Sequence, residues 1–255
     1  VKLATWNVNS IRARHDRLIA WLARTAPDVV CLQETKVEDH AFPIEALRDA
    51  GYHAAILGQK TYNGVAILSR APATDVVRGF GDGGDDSQAR ALAATVDGVR
   101  VVCVYVPNGQ TVGSDKYAYK LTWLARLRAY LAAHASPDQP LILCGDMNVA
   151  PTDLDVYDPK AWAGQVLCSD AERDGLAAVT GWGLDDLYRA HHPEGGRYSW
   201  WDYRGVSFLR DHGLRIDHVF GTAAIRARCT GCEIDRLERK GDKASDHAPV
   251  IATLD

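Results

Sequence analysis

Hydrophobic residues in this chain fall into short, nearly unbroken runs and longer segments with an apolar side chain every three or four positions. The runs read as strands buried on both faces, the longer segments as amphipathic helices. Lys2-Leu3-Ala4-Thr5-Trp6 opens as a strand, Ile11, Leu18, Ile19, Trp21 and Leu22 follow at helical spacing, and Asp28-Val29-Val30-Cys31-Leu32 is the next run, so the chain begins β-α-β. Strands are expected near 53–57, 64–70, 73–79, 90–97 and 99–106, joined by Gly-, Pro- and Asn-rich turns suited to hairpins. A helix near 114–134 places Tyr117, Leu121, Leu124, Leu127 and Leu131 on one stripe and leads into the run Leu141-Ile142-Leu143-Cys144. Ser169-Asp170-Ala171-Glu172 reads as a capping box opening another helix, and strands at 216–220, 230–235 and 248–254 finish the chain. Gly79 to Asp86 reads as an exposed, flexible loop. The pattern predicts an α/β fold: two mixed β-sheets packed face to face with helices outside, in a single domain over 1–255.

Composition narrows the class. With 47% hydrophobic and 24% charged residues over 255 positions, the chain is ordinary globular material. No apolar run approaches the ~18 residues needed to cross a bilayer, and the first residues read as a strand rather than a secretory leader, so a soluble protein is expected. Six cysteines lie at 31, 103, 144, 168, 229 and 232, the first three inside apolar runs, which suits buried thiols in a reducing cytoplasm. Cys229 and Cys232 form a lone C-x-x-C without two further ligands at a zinc spacing. A net charge of −4 argues against a protein that coats nucleic acid non-specifically, yet it leaves room for an enzyme with acids in its site and bases around it.

Metal-competent groups recur where apolar runs end: Asn7 and Asn9 after the first, Glu34 after the second, Asp146 and Asn148 after LILCG. Tyr105 and Asn108 flank the end of VVCVYVPN, Asp217 opens LRIDHVF, and Asp246-His247 precede APVIATL. A bare carboxylate beside a core is costly unless it is paired, so several such acids imply a shared site. Taken singly, the asparagines also read as turn formers, Glu34 as a surface partner of Lys36, and Asp146 as an Asx turn. His247 stands apart from the other histidines because Asp246 precedes it and Asp217 offers a second acid to fix its tautomer. Carboxylate and amide oxygens without convergent cysteines favour Mg²⁺, with Mn²⁺ able to substitute, over zinc. No phosphate-binding P-loop, dinucleotide turn or nucleophile elbow is present.

These blocks together resemble the exonuclease III branch of the endonuclease/exonuclease/phosphatase superfamily over essentially the whole chain. They are Thr5 to Arg12, Cys31-Leu32-Gln33-Glu34-Thr35-Lys36, Asn63 to Arg70, Tyr105 to Gly109, Gly145-Asp146-Met147-Asn148 through Asp153, Asp202-Tyr203-Arg204, Gly213 to His218, and Ser245-Asp246-His247-Ala248-Pro249. The resemblance implies a four-layer α/β sandwich and a magnesium-dependent DNA-repair phosphodiesterase acting at abasic sites or on damaged or recessed 3′ ends of double-stranded DNA. It implies metal ligation by Glu34 with Asn7 and Asp246, and a second metal or phosphate position near Asn9 and Asn108. Asp146 would activate the attacking water, Asn148 and Tyr105 would contact the phosphate, and His247 on Asp217 would serve as base or electrostatic clamp. Trp200 and Leu214 match apolar walls around an extruded sugar. Arg12 and Lys36, with Lys116, Arg197, Arg204 and Arg215, are candidates for DNA phosphate contacts.

Departures from the family pattern also shape the expectation. The chain is expected to lack the long extension of animal relatives, which favours the compact bacterial type; Gln110 stands where some relatives insert an arginine, and bulky Leu167 occupies a tip where several relatives have a small or polar residue, which bears on substrate choice. The expected partner is DNA, with no membrane and no obligate protein partner, and a monomer is expected. Two rival readings remain. A superfamily phosphatase acting on a lipid or small molecule needs basic specificity loops or an apolar docking face. A non-catalytic DNA-binding relative would have lost at least one of these polar residues.

Overall fold

A computed structural model describes residues 1–255. Its strands in chain order are β1 (Lys2–Asn7), β2 (Val29–Gln33), β3 (His53–Leu57), β4 (Val65–Ser69), β5 (Thr74–Arg78), β6 (Ala91–Val96), β7 (Val99–Tyr105), β8 (Leu141–Asp146), β9 (Asp185–Asp186), β10 (Asp217–Gly221), β11 (Cys229–Ile234) and β12 (Val250–Leu254). The helices are α1 (Ile11–Thr25), α2 (Ile44–Asp49), α3 (Asp115–His134), α4 (Pro159–Trp162), α5 (Asp170–Thr180), α6 (Leu187–His191) and α7 (Ala223–Arg226). No helix is long and apolar enough to cross a membrane.

The strands form two six-stranded mixed sheets, ordered β11-β12-β1-β2-β4-β3 and β5-β6-β7-β8-β10-β9. Alternate residues of each sheet, such as Leu3, Cys31, Ile67 and Val101, Cys103, Ile142, face inward and build the cluster between the sheets. The other faces are covered by helices: Trp21, Leu22 and Leu47 seal the first sheet, and Leu124, Leu127 and Leu131 seal the second. Four layers result, as the apolar pattern predicts.

The long elements start where their caps lie. Ser114 caps α3, and the Ser169/Glu172 box closes reciprocally at α5. The short helices α2, α4, α6 and α7 have no counterpart in the sequence reading, because one or two turns are too few to show a 3.6-residue period. The loop at 79–86 is exposed from Gly81 to Asp86, as expected, but it is anchored at several points. Phe80 is buried against Trp123 and Tyr130, and Arg126 on α3 binds Asp82, Asp86 and the Asp85 carbonyl, so charge pairing and an aromatic anchor hold the segment down. The lone C-x-x-C is structural: a bulge between Cys229 and Gly231 turns both thiols toward the inter-sheet core.

Arg215 also departs from its assigned place. Its guanidinium is 1% exposed and is held by Asp155 at 2.7 Å and Asp186 at 2.7 Å, so it braces the entrance to β10 instead of meeting DNA phosphates. Removing one partner of a buried ion cluster leaves uncompensated charge. Arg215→Met should therefore lower the unfolding free energy by about 3–5 kcal/mol in a urea titration. A midpoint unchanged from wild type would show that Arg189, which also contacts Asp155, is a sufficient partner.

Candidate active site

Strand register brings the polar strand ends to one end of the sandwich. β1 and β2 run parallel with Asn7 opposite Gln33, so Asn7 and Glu34 leave the first sheet together. β7 and β8 run parallel with Tyr105 opposite Asp146, while antiparallel β10 sets Asp217 opposite the same Asp146. β12 runs antiparallel to β1 with Val250 opposite Thr5, which delivers Asp246 and His247 to that end.

The turns leaving these strands are held tightly. Asn9, Glu34, Lys36 and Asn148 all have left-handed backbones, with φ between 43° and 56°, a conformation costing non-glycine residues roughly 1–2 kcal/mol. Backbone bonds hold the 34–36 turn: Ser10 N to Glu34 O at 2.8 Å, Thr35 N to Gly64 O at 3.2 Å and Lys36 N to Asn63 O at 2.9 Å. Gly64 is required at that contact, since it has φ 91° and a Cβ there would lie 2.1 Å from Thr35 Oγ1.

Within this frame one chain of contacts links almost every predicted site residue. Asn148 N donates to Asp146 Oδ1 at 2.9 Å, and Asn7 Nδ2 donates to both Asp146 Oδ2 (2.9 Å) and Glu34 Oε1 (2.8 Å). Lys36 Nζ lies 2.9 Å from Glu34 Oε2 and donates to Asn9 Oδ1 at 2.5 Å. Asn9 Nδ2 donates to Asp246 Oδ1, whose other oxygen accepts Trp200 Nε1, both at 3.0 Å. On the other flank His247 Nδ1 pairs with Asp217 Oδ2 at 2.8 Å, leaving Nε2 3.7 Å from Asp146 Oδ2. Ser199 Oγ donates to Asp217 Oδ2 at 2.7 Å and takes the backbone N–H groups of Ile216 and Asp217.

Charge follows from this geometry. Burial alone would depress the His247 imidazole, but Asp217, Asp146 and Asp246 outweigh it and push its pKa up to about 10. Burial raises Asp146 to about 7 against the opposing pull of His247. Tyr105 is pushed well above its ordinary range by burial and by the charges of Glu34 and Asp146, so its hydroxyl keeps its proton. The His247 shift has a stability sign. A folded pKa above the unfolded value of about 6.5 stabilises fully below ~6.5 and is lost as pH rises through about 10. The difference in unfolding free energy between metal-free wild type and His247→Gln should therefore shrink between pH 7 and 10.5. A difference that stays constant across that range refutes the shift.

Donor chemistry fits a hard cation. Ligand atoms of Glu34, Asp146 and His247 lie within 4.8 Å of one another, Asp217 Oδ1 is buried without a partner, and no cysteine joins them. The Lys36 ammonium on Glu34 shows that this cluster already calls for positive charge. Asn7 turns its amide nitrogen to the two carboxylates and its oxygen to Asn9 N, so as placed it orients them.

The outlying candidates divide. Asn108 lies exposed on the rim and reaches Asn148 at 3.3 Å, beside a cleft of about 560 Å³ that runs from Glu34 and Tyr105 to Lys116. Trp200 is partly exposed next to His247, whereas Leu214 is fully buried behind it and presents no wall to a ligand. Arg12 and Arg197 are exposed and make none of these contacts, and Arg204 folds back on Asp202. Leu167 is 4% exposed with φ 77°, packed among Leu214, Ile216 and Trp200. Sequence reading missed Ser199, Ser245 and Lys120. Ser245 Oγ bridges Asn7 O and His247 N, a role that only tertiary contact discloses, while Lys120 was visible as a lysine on the apolar stripe of α3.

Comparison with known proteins agrees with this geometry. The profile of the endonuclease/exonuclease/phosphatase family matches residues 4–247. Exodeoxyribonuclease III of Haemophilus influenzae is 34% identical, with 99% of each chain covered. A Neisseria 3′ phosphatase solved with a product DNA hairpin is 43% identical with TM-score 0.96, covering 100% of this chain and 99% of that one. An AP endonuclease from Archaeoglobus fulgidus is 38% identical with TM-score 0.97, again covering 100% and 99%. With its family profile, full-length relatives and strand-end acid cluster in accord, the chain belongs to the endonuclease/exonuclease/phosphatase family, in its exonuclease III and AP-endonuclease branch.

Proposed function

We propose that this protein is a magnesium-dependent DNA-repair nuclease that hydrolyses the backbone at abasic sites or at damaged or recessed 3′ ends of duplex DNA. The observation that carries the reading is the convergence of Glu34, Asp146 and His247 at the shared end of both sheets. Phosphodiester hydrolysis needs the anionic phosphate neutralised and a water set in line with the departing oxygen. Glu34, with Asp246 beside it, would hold the magnesium ion, which would supply charge neutralisation. The remaining work falls to side chains. His247, charged at neutral pH through its Asp217 and Asp146 partners, clamps a phosphate oxygen. Asp146, with a pKa of about 7, takes the proton of the attacking water near its own titration point, where a general base is most effective. Tyr105 remains a hydroxyl donor, and Asn148, whose own amide donates to Val106 O, keeps the Asp146 turn in register. Trp200 offers the exposed apolar face for a sugar. Six unpaired cysteines suit a reducing, cytoplasmic setting.

The test offers three labelled duplexes, one with an abasic analogue, one with a recessed 3′ end and one with a 3′-phosphate, each with magnesium and with chelator. Cleavage of at least one in magnesium and of none in chelator is expected. No cleavage of any duplex, or equal cleavage in chelator, overturns the reading.

A further inference from the structure

Behind the catalytic turns lies a fully buried ion pair that the mechanism above does not use. Lys120 on α3 and Glu172 on α5 are both 0% exposed and meet at 2.5 Å. All three ammonium protons have partners: Glu172 Oε1, Asn148 O at 2.6 Å and Asn108 O at 3.1 Å. The carboxylate is equally occupied. Its Oε1 also accepts Leu167 N at 2.9 Å, and its Oε2 accepts Ser169 N and Ser169 Oγ. A capping box requires only the bond to the N-cap N–H. The bond to Leu167 N is additional, and it ends on a bulky residue held at φ 77°. At the opposite end Lys120 grips the carbonyl of Asn148, itself at φ 48°.

Stability alone does not call for this arrangement. A well-packed apolar pair in place of a buried ion pair is often neutral or stabilising, because desolvating both charges offsets their attraction. Apolar side chains would join α3 to α5, but they would hold none of the five loop groups that the pair engages. Those groups belong to three segments: the Asn108 rim, the Asp146–Asn148 turn and the 167–169 segment beside Trp200.

We propose that Lys120 and Glu172 are positioning residues: one buried ion pair sets the Asn108 and Asn148 turns in register with the Leu167 segment, so that catalytic geometry and substrate fit are fixed together. The division of bonds assigns separate effects to the two ends. Lys120 governs turnover on every substrate through Asn148, and Glu172 also governs the ratio of internal abasic incision to 3′-end trimming through Leu167. This rests on the nuclease reading, so wild type and Asp146→Asn accompany every measurement.

The experiment compares Lys120→Met, Glu172→Gln and the double variant Lys120→Met/Glu172→Met by thermal melting, DNA Kd in chelator, and kcat on the abasic and recessed duplexes. Lys120→Met leaves a buried carboxylate unpaired and should lower both melting temperature and kcat. The double variant should recover the melting temperature while kcat stays roughly 10- to 100-fold down, with DNA affinity within about threefold of wild type. Recovery of wild-type kcat by the double variant overturns the proposal. Should the double variant not fold, Glu172→Gln decides. Nearly isosteric but uncharged, it leaves the buried Lys120 ammonium without a counter-charge and turns an amide N–H toward groups that already donate, so it should melt below wild type, exchange the Leu167 and Ser169 amide protons faster, and shift the ratio of the two activities. An unchanged ratio and unchanged exchange overturn it. Wild type that cleaves none of the three duplexes, the 3′-phosphate one included, sinks the nuclease reading instead.

Discussion

Replacing Asp146 by asparagine is expected to reduce DNA cleavage by about 10²–10⁴-fold while leaving DNA binding in chelator within about threefold of wild type. Asp146 is buried at the junction of the two sheets, accepts N–H groups from Asn7 and Asn148, and faces His247 Nε2 at 3.7 Å. An asparagine oxygen can keep the Asn148 bond, but its nitrogen then meets the Asn7 amide, donor against donor, at a stability cost of roughly 1–3 kcal/mol. The fold tolerates such a loss. Chemistry does not, because an amide cannot accept the water proton, and Asp217, the carboxylate opposite Asp146 in the sheet, is already committed to His247 Nδ1. Removing one anion also relieves repulsion toward phosphate, so binding should hold or tighten. Single-turnover cleavage with a parallel binding titration separates the two effects, and near-wild-type cleavage by the variant removes Asp146 from the reaction.

Much of this site was legible because strand ends advertise it. Acids and amides that follow unbroken apolar runs are expensive unless they share partners, and the five strands carrying Asn7, Glu34, Tyr105, Asp146 and Asp217 do end together. The Asp217 to His247 pairing was equally visible, since an acid beside an imidazole precedes the last strand and Asp217, at the entrance of another, offers the second acid. What sequence withheld depends on register and on distant partners. Arg215 looked like a free cation, and the acids that bury it lie 60 and 29 positions away. Leu214 looked like a wall because its neighbours match one, yet it is fully buried in a small cluster with Leu167 and Ile216, covered by Trp200. The short helices and the clamped 79–86 loop were lost for a related reason, having too few residues for a period and a single anchoring arginine on a remote helix.

Loss of the Glu34 charge should have the second large effect. Glu34→Gln is expected to weaken Mn²⁺ binding to the free protein by at least ~100-fold, read by titration of the ion's magnetic resonance signal without DNA. Even partners outside the coordination sphere typically change affinity by about 10- to 100-fold, and a direct carboxylate contributes its full charge as well. Asp246 is the competing anchor, and its hydrogen bonds separate the two. Both Asp246 oxygens already accept protein donors, Asn9 Nδ2 and Trp200 Nε1, whereas Glu34 shares one oxygen with an amide and gives the other to the Lys36 ammonium. That ammonium competes with the ion for Glu34 and is the contact most easily exchanged for it, because Lys36 is a quarter exposed on a flexible stem. Undiminished Mn²⁺ affinity in the variant would move the ion to Asp246 and leave Glu34 as the counter-charge of Lys36.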